Sequence, residues 1–160
     1  MTTKDNSDEI NTWIKSLQKG EVLVGIPSSD SDRQPVNGED PEINNAGILF
    51  INEYGSEDGK IPASRPMATG IKNAQEAIAE EFKKCAQAVL TKGPAALSLY
   101  YERVGSIASN SVKKVINDQQ GFEPPADSTL AARAAEGFKG KKRLIVTGQM
   151  RNAITYVVKA

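Results

Sequence analysis

The sequence predicts an α+β fold in which a small, mostly antiparallel sheet packs against several helices. Two short runs, residues 21–26 and 154–159, are rich in β-branched side chains, which favour strands. Between residues 69 and 117, apolar side chains recur every three or four positions, the spacing of buried helical faces. Because a Lys-Gly-Pro break at 92–94 interrupts this pattern, we expect two long helices packed antiparallel. The chain of 160 residues, 1–160, is expected to form a single domain.

The first element is predicted from a cap and an apolar face. Ser7 can cap a helix that Gly20 ends, with acidic residues in its first turn and Lys19 in its last. Its apolar face carries Ile10, Trp13, Ile14 and Leu17. Residues 21–26 follow as the first strand, because the run is too short for a helix and Pro27 comes directly after it.

A polar stretch and a second helix come next. Residues 28–40 hold almost no apolar side chains and include an Asn-Gly turn, so we expect an exposed, mobile loop. Asp40-Pro41-Glu42 has the composition of a helix start, and Gly55 can end that helix. A strand over residues 48–51 is the alternative interpretation.

The second half of the chain alternates short elements with breaks. Asp127 or Ser128 can cap a short helix through Arg133, and residues 137–143 are predicted to form a flexible basic loop. Thr147 is a plausible cap for one helical turn before the strand at 154–159. Because a two-stranded sheet is marginal alone, this strand should pair with residues 21–26, with a neighbouring subunit, or with both.

Composition excludes several kinds of chemistry. The 20 basic and 20 acidic side chains cancel, so no strong overall field attracts nucleic acid or a membrane surface. With no histidine and neither common glycine-rich phosphate motif, the sequence predicts no histidine-based active site, no metal and no cofactor. The single cysteine, Cys85, lies on a predicted apolar face and is interpreted as a core residue. No apolar run is long enough to span a membrane, and the first ten residues are too polar for a secretory signal.

Several short motifs occur in a characteristic order. They are E-Y-G at 53–55, I-P-A at 61–63 with R-P at 65–66, Phe122 with P-P at 124–125, S-T at 128–129, and T-G-Q-M-R-N at 147–152 followed by Ile154. In this order, from about residue 46 to 160, the chain resembles the tailed-bacteriophage virion morphogenesis and tail completion proteins. It departs from them at Val146, where the family commonly has an acid, and in an I-P-A-S-R-P stretch that is one residue longer.

The resemblance implies a structural virion protein of the neck, where the filled head joins the tail, and no enzymatic activity. It implies a ring of identical copies, hexameric by preference, that contacts head connector or tail tube proteins as a tail completion, terminator or connector subunit. Assembly would take place in the host cytoplasm, and the protein would then reside in the virion. The residues we expect at a subunit or partner interface are Glu53, Tyr54, Arg65, Gln149, Arg151, Ile154, Tyr156 and Val158.

Two other functions stay open at this point. The basic residues Lys139, Lys141, Lys142 and Arg143 can contact DNA in a neck lumen, or make the chain a nucleic-acid-binding module; a solvated loop is the simpler interpretation. A carboxylate-type glycosidase packaged with a phage would need two acids facing one cleft, and Glu53 with Asp58 is the pair to test.

Overall fold

The computed structural model describes residues 6–35, 38 and 40–159. Within them are six α-helices and two strands: α1 (Ser7–Lys19), β1 (Glu21–Gly25), α2 (Asn45–Tyr54), α3 (Pro66–Lys92), α4 (Leu97–Asp118), α5 (Asp127–Ala135), α6 (Gln149–Ala153) and β2 (Thr155–Lys159). Helices α3 and α4 pack along each other, and the sheet is antiparallel. The predicted α+β class is confirmed.

The antiparallel helix pair is held by a close backbone approach. Gly70, in the first turns of α3, lies against Val112 near the end of α4, where an added Cβ would be 2.6 Å from the Val112 Cα. The Ser111 hydroxyl donates to the Gly70 carbonyl at 2.7 Å. At the other end, Gly93 adopts a positive φ of 81° and ends α3, as its position in the sequence predicts.

The two strands pair with each other over their whole length. Glu21 lies opposite Lys159 and Gly25 opposite Thr155, so β2 forms the second strand of the sheet. Helix α4 covers one face of the sheet, where the Tyr156 ring packs onto Gly105. Of the pairings that the sequence left open, the one with residues 21–26 is present.

The core consists of two apolar clusters, which contain residues near opposite ends of α4. One contains Leu49, Val112, Ile116, Met150 and Ile154, and the other contains Cys85, Val89, Leu97 and Tyr101. Burial raises the pKa of the Cys85 thiol, in agreement with its predicted place in the core. The side chain of Ile154 is 0% exposed, so it cannot reach a second copy in this fold, and the prediction of an interface role is wrong for Ile154.

Two helix starts differ from the predicted ones. Helix α2 begins at Asn45 and not at Asp40, because the Asn44 side chain accepts the backbone N–H of Gly47 at 2.8 Å and caps the helix there. Helix α3 begins three residues before the predicted Thr69, at Pro66, whose fixed φ suits the first helical position. The alternative strand over residues 48–51 lies inside α2 and is wrong.

Part of the segment predicted as an exposed loop packs against the domain. Residues Ser28–Asp30 form a short 3₁₀ turn, and Ser31 is buried with its carbonyl accepting the Asn45 backbone N–H at 2.8 Å. The prediction of exposure is therefore wrong at Ser31. Val36, Asn37 and Glu39 of the same segment lie outside the described residues.

Candidate interaction surfaces

Glu53, at the end of α2, is an internal helix cap. One carboxylate oxygen accepts the backbone N–H of Met67 at 2.8 Å, and the other accepts that of Ala68 at 3.1 Å. Both donors belong to the first turn of α3, where helical N–H groups lack internal partners and the helix dipole favours negative charge. The carboxylate thus joins α2 to α3 and is occupied within the chain.

The segment after Glu53 folds back on the same helix end. The Asn52 carbonyl accepts the backbone N–H groups of Ser64 and Arg65, at 2.8 and 3.2 Å. Gly55 adopts a φ of 89°, and a Cβ there would lie 3.2 Å from the Ile61 carbonyl oxygen. The E-Y-G and I-P-A-S-R-P motifs therefore form one intramolecular clamp between α2 and α3.

Asp58, the second acid of the predicted glycosidase pair, is held as a carboxylate. The hydroxyl of Ser56 donates to it at 2.6 Å, and the ammonium of Lys60 lies 3.0 Å away. These contacts, the Ser56 hydrogen bond first, lower the pKa of Asp58. A general acid needs a raised pKa, so Asp58 is unsuited to donate a proton at neutral pH.

Tyr54, one of the predicted interface residues, lies at the surface next to a second aromatic side chain. Tyr54 is 71% exposed, and its ring packs at 4.8 Å, centroid to centroid, against that of Phe50, which is 64% exposed. Arg65 is also exposed. Phe50 is not among the predicted interface residues; an aromatic pair four residues apart on a helix is the signal that identifies this surface.

The predicted interface residues near the end of the sequence mostly stabilise the fold. The Gln149 side-chain oxygen accepts the Gln34 backbone N–H at 2.8 Å, and Arg151 donates to the Asn117 side chain at 2.7 Å. The Tyr156 hydroxyl bonds to Glu102 on α4, which raises the pKa of that tyrosine. Val158 packs against the Cys85 cluster defined above.

The opposite face of the sheet points outward and is apolar at its centre. Leu23 and Val157 are directly opposite each other in the register and are 46% and 41% exposed. The pair Glu21 and Lys159 flanks them. We call Leu23 and Val157 the outer sheet pair. The interface residues predicted from the sequence, Tyr156 and Val158, alternate with Val157 along the strand and face the helices.

The basic loop is anchored at several points. The Lys142 ammonium donates to the Asn117 carbonyl at 2.6 Å, near the negative end of α4, and Arg133 donates to the Lys142 carbonyl at 2.9 Å. The Gln119 side chain forms two hydrogen bonds to the backbone of Arg143, at 2.7 and 3.1 Å. Lys139, Lys141 and Lys142 are all exposed, but the Lys142 ammonium is engaged by the Asn117 carbonyl.

A cleft of about 370 Å³ opens between the clamp and the segment that precedes α5. Prolines and aliphatic side chains form its walls: Ile61, Pro62, Pro124, Pro125 and Leu144. The charged residues that line it are Lys60, Glu123, Arg133 and Arg143. We call it the basic cleft. The sequence predicted Arg143 as DNA-facing but gave no sign of the cleft, since its residues come from three distant segments.

Comparisons with family models, curated proteins and solved structures found no match to this chain. Within residues 6–35, 38 and 40–159, no three His, Cys, Asp or Glu side chains are grouped so that they can hold a metal ion. Across the same residues, every helix is too short or too polar to cross a membrane.

Proposed function

We propose that this chain is a structural protein of the bacteriophage neck, where it joins head to tail as a tail completion or connector ring subunit. The proposed family is the one that the chain resembles in its sequence motifs, as described above. The observation that carries the proposal is the outer sheet pair, Leu23 and Val157, an exposed apolar centre on a two-stranded sheet. Such a surface fits a chain that works by contact with other proteins.

The sheet itself favours this role. Among residues 6–35, 38 and 40–159 it contains β1 and β2 alone, so each strand keeps one edge to which another strand can be added. Two-stranded sheets are marginal in water, and a third strand from a neighbour would satisfy the backbone groups along that edge. In a ring, the same addition repeats at every interface.

The exposed pair Phe50 and Tyr54 offers a second contact on another part of the surface. Aromatic side chains are enriched at the centres of protein interfaces because each buries a large area with few rotatable bonds. In the proposed neck, one surface serves contacts between copies and the other serves a head connector or tail tube protein. The ring is hexameric by preference, assembled in the host cytoplasm and retained in the virion.

The test compares two leucines of similar exposure. Leu23→Lys places a charge at the centre of the outer sheet pair, whereas Leu90→Lys alters a leucine on α3 that is 50% exposed. Particles are produced from a genome that lacks the coding sequence and is complemented with each variant, and heads with attached tails are counted by electron microscopy. We expect Leu90→Lys to restore joining and Leu23→Lys to restore less than a tenth of it. Normal joining without the chain would overturn the proposal.

A further inference from the structure

We propose that the basic cleft receives the acidic segment Asp40-Pro41-Glu42-Ile43 of a second copy of this chain, so that copies join head to tail. The inference rests on the proposed ring, to which it adds the two surfaces that meet. The cleft and the segment match each other in charge, in apolar content and in their positions on the fold.

The cleft has a fixed shape. Three of its lining residues are prolines, Pro62, Pro124 and Pro125, and proline has a locked φ and few conformations to lose on binding. One wall belongs to the clamp, in which Ser56 donates its backbone N–H to the Ile61 carbonyl at 2.9 Å. A preformed cleft of this kind can bind a short extended segment at a low entropic cost.

Positive charge dominates the lining. Lys60, Arg133 and Arg143 contribute three cations against the single carboxylate of Glu123. Lys60 also pairs with Asp58, and Arg133 is held in place by its hydrogen bonds to the carbonyls of the basic loop. Arg143 is half-buried, has its backbone fixed by Gln119 and lines the cleft, where a guanidinium can pair with a carboxylate.

The segment before α2 has the complementary character. Asp40 and Glu42 are exposed carboxylates, and Ile43 is an exposed apolar side chain next to them. Four residues of chain reach at most about 14 Å when extended, a length suited to one small cleft. Two carboxylates can therefore meet cations of the cleft while Ile43 meets its proline and leucine walls.

The segment and the cleft lie at opposite ends of one helix. The acidic segment leads directly into Asn44, the cap of α2, whereas Asn52 in the last turns of α2 lines the cleft. A ten-residue helix is about 15 Å long, so the two surfaces face different neighbours. A contact between non-identical surfaces is heterologous, and repeated heterologous contacts close into rings when the rotation permits.

A DNA backbone is the competing occupant, and it fits less well. The walls of proline and aliphatic side chains have no matching partner on a sugar–phosphate chain. An acidic peptide with an apolar residue uses both the charge and the walls. We therefore assign the cleft to polypeptide.

Charge reversal tests the pairing. Arg143→Glu and Glu42→Arg should each weaken self-association of the purified full chain about tenfold or more, because each places like charges together. The doubly substituted chain, Arg143→Glu with Glu42→Arg, should recover most of the loss. The matched controls Lys83→Glu and Glu76→Arg reverse exposed charges on α3 and should leave association unchanged. Molecular mass is followed by sedimentation equilibrium up to about 1 mM chain, which detects dissociation constants up to about that concentration.

A cross-link gives an independent readout. With diamide added as the thiol oxidant, a Glu42→Cys chain mixed with an Arg143→Cys chain should form a mixed disulfide, while buried Cys85 stays unreactive. Absence of the mixed disulfide, or a double variant as weak as the single ones, overturns the inference. The inference is also overturned if no mixed disulfide forms and the chain binds duplex DNA in a way that Arg143→Glu abolishes and Glu42→Arg leaves intact. The particle assay above tests the proposed function separately. If tails fail to attach without the chain and the cross-link is negative, the proposed function stands and this contact is rejected.

Discussion

The ring of Tyr156 on β2 lies against the backbone of Gly105 on α4, in the space that a Cβ at Gly105 would occupy. The sheet can therefore approach α4 closely, and the Tyr156 hydroxyl reaches Glu102 one turn earlier on the same helix. Glycine in a helix interior normally costs stability. Here the close packing of sheet on helix offsets that cost.

Gly105→Ala should lower the free energy of unfolding by about 1–3 kcal/mol, the range typical of an overpacked site, although alanine is the better helix former. The control is Gly25→Ala in β1, where a Cβ meets nothing within 4 Å. The free energy of unfolding of both variants is measured by urea denaturation, with circular dichroism as the signal. Equal stability of the two variants would contradict the close contact.

Glu53→Gln should lower the free energy of unfolding by about 1 kcal/mol, since the amide keeps one acceptor but loses the charge at the start of α3. Glu57→Gln is the matched control, because Glu57 is exposed on the following turn. Thermal or urea unfolding measures the stability of the two variants relative to wild type. If Glu53→Gln behaves like the control, the capping carboxylate contributes nothing measurable.

The clamp illustrates what the sequence can and cannot predict. Glu53 and Arg65 were chosen as interface candidates from motifs, and the structure places Glu53 on backbone donors that come 14 and 15 positions later. Local rules identify helices, glycine stops and the two strands, because each depends on neighbouring residues. A contact between the end of one helix and the start of another depends on how the chain folds back.

The sheet shows a second limit. The β-branched residues predict the two strands, yet the interface residues predicted on β2 are Tyr156 and Val158, whereas the exposed one is Val157. Strand side chains alternate, so a choice that is wrong by one residue exchanges the buried and exposed faces. Because the side chains at 156, 157 and 158 are all apolar, only the packing of α4 on one face of the sheet decides which of them are buried.

Cys85 should make stability fall at alkaline pH. Burial raises the pKa of its thiol above the ordinary value of 9.0, so the unfolded chain loses this proton at a lower pH than the folded chain. The stabilising contribution is complete below about pH 9 and is lost as the pH rises through the folded-state pKa. Tyr101 beside it shifts in the same direction, chiefly through burial.

The measurement compares wild type with Cys85→Ala by urea unfolding at several pH values between 7.5 and 10.5. The variant starts lower because a buried side chain is truncated, but its stability should decline less steeply above pH 9. Tyrosines and lysines titrate in both proteins, so the difference in slope reports the thiol. Parallel curves would contradict a buried, protonated Cys85.

Gln119 should control the order of the basic loop. Its side chain holds the Arg143 backbone by two hydrogen bonds, and its own φ of 56° is one that glycine adopts without strain. Gln119→Gly therefore removes the anchor without straining the end of α4. Limited trypsin digestion should cut after Lys139, Lys141 or Arg143 several times faster than in wild type, because local opening exposes these bonds. Gln120→Gly is the control, because the Gln120 side chain bonds to Asn73 on α3 and not to the loop. Equal cleavage rates in the two variants would show that Gln119 does not hold the loop.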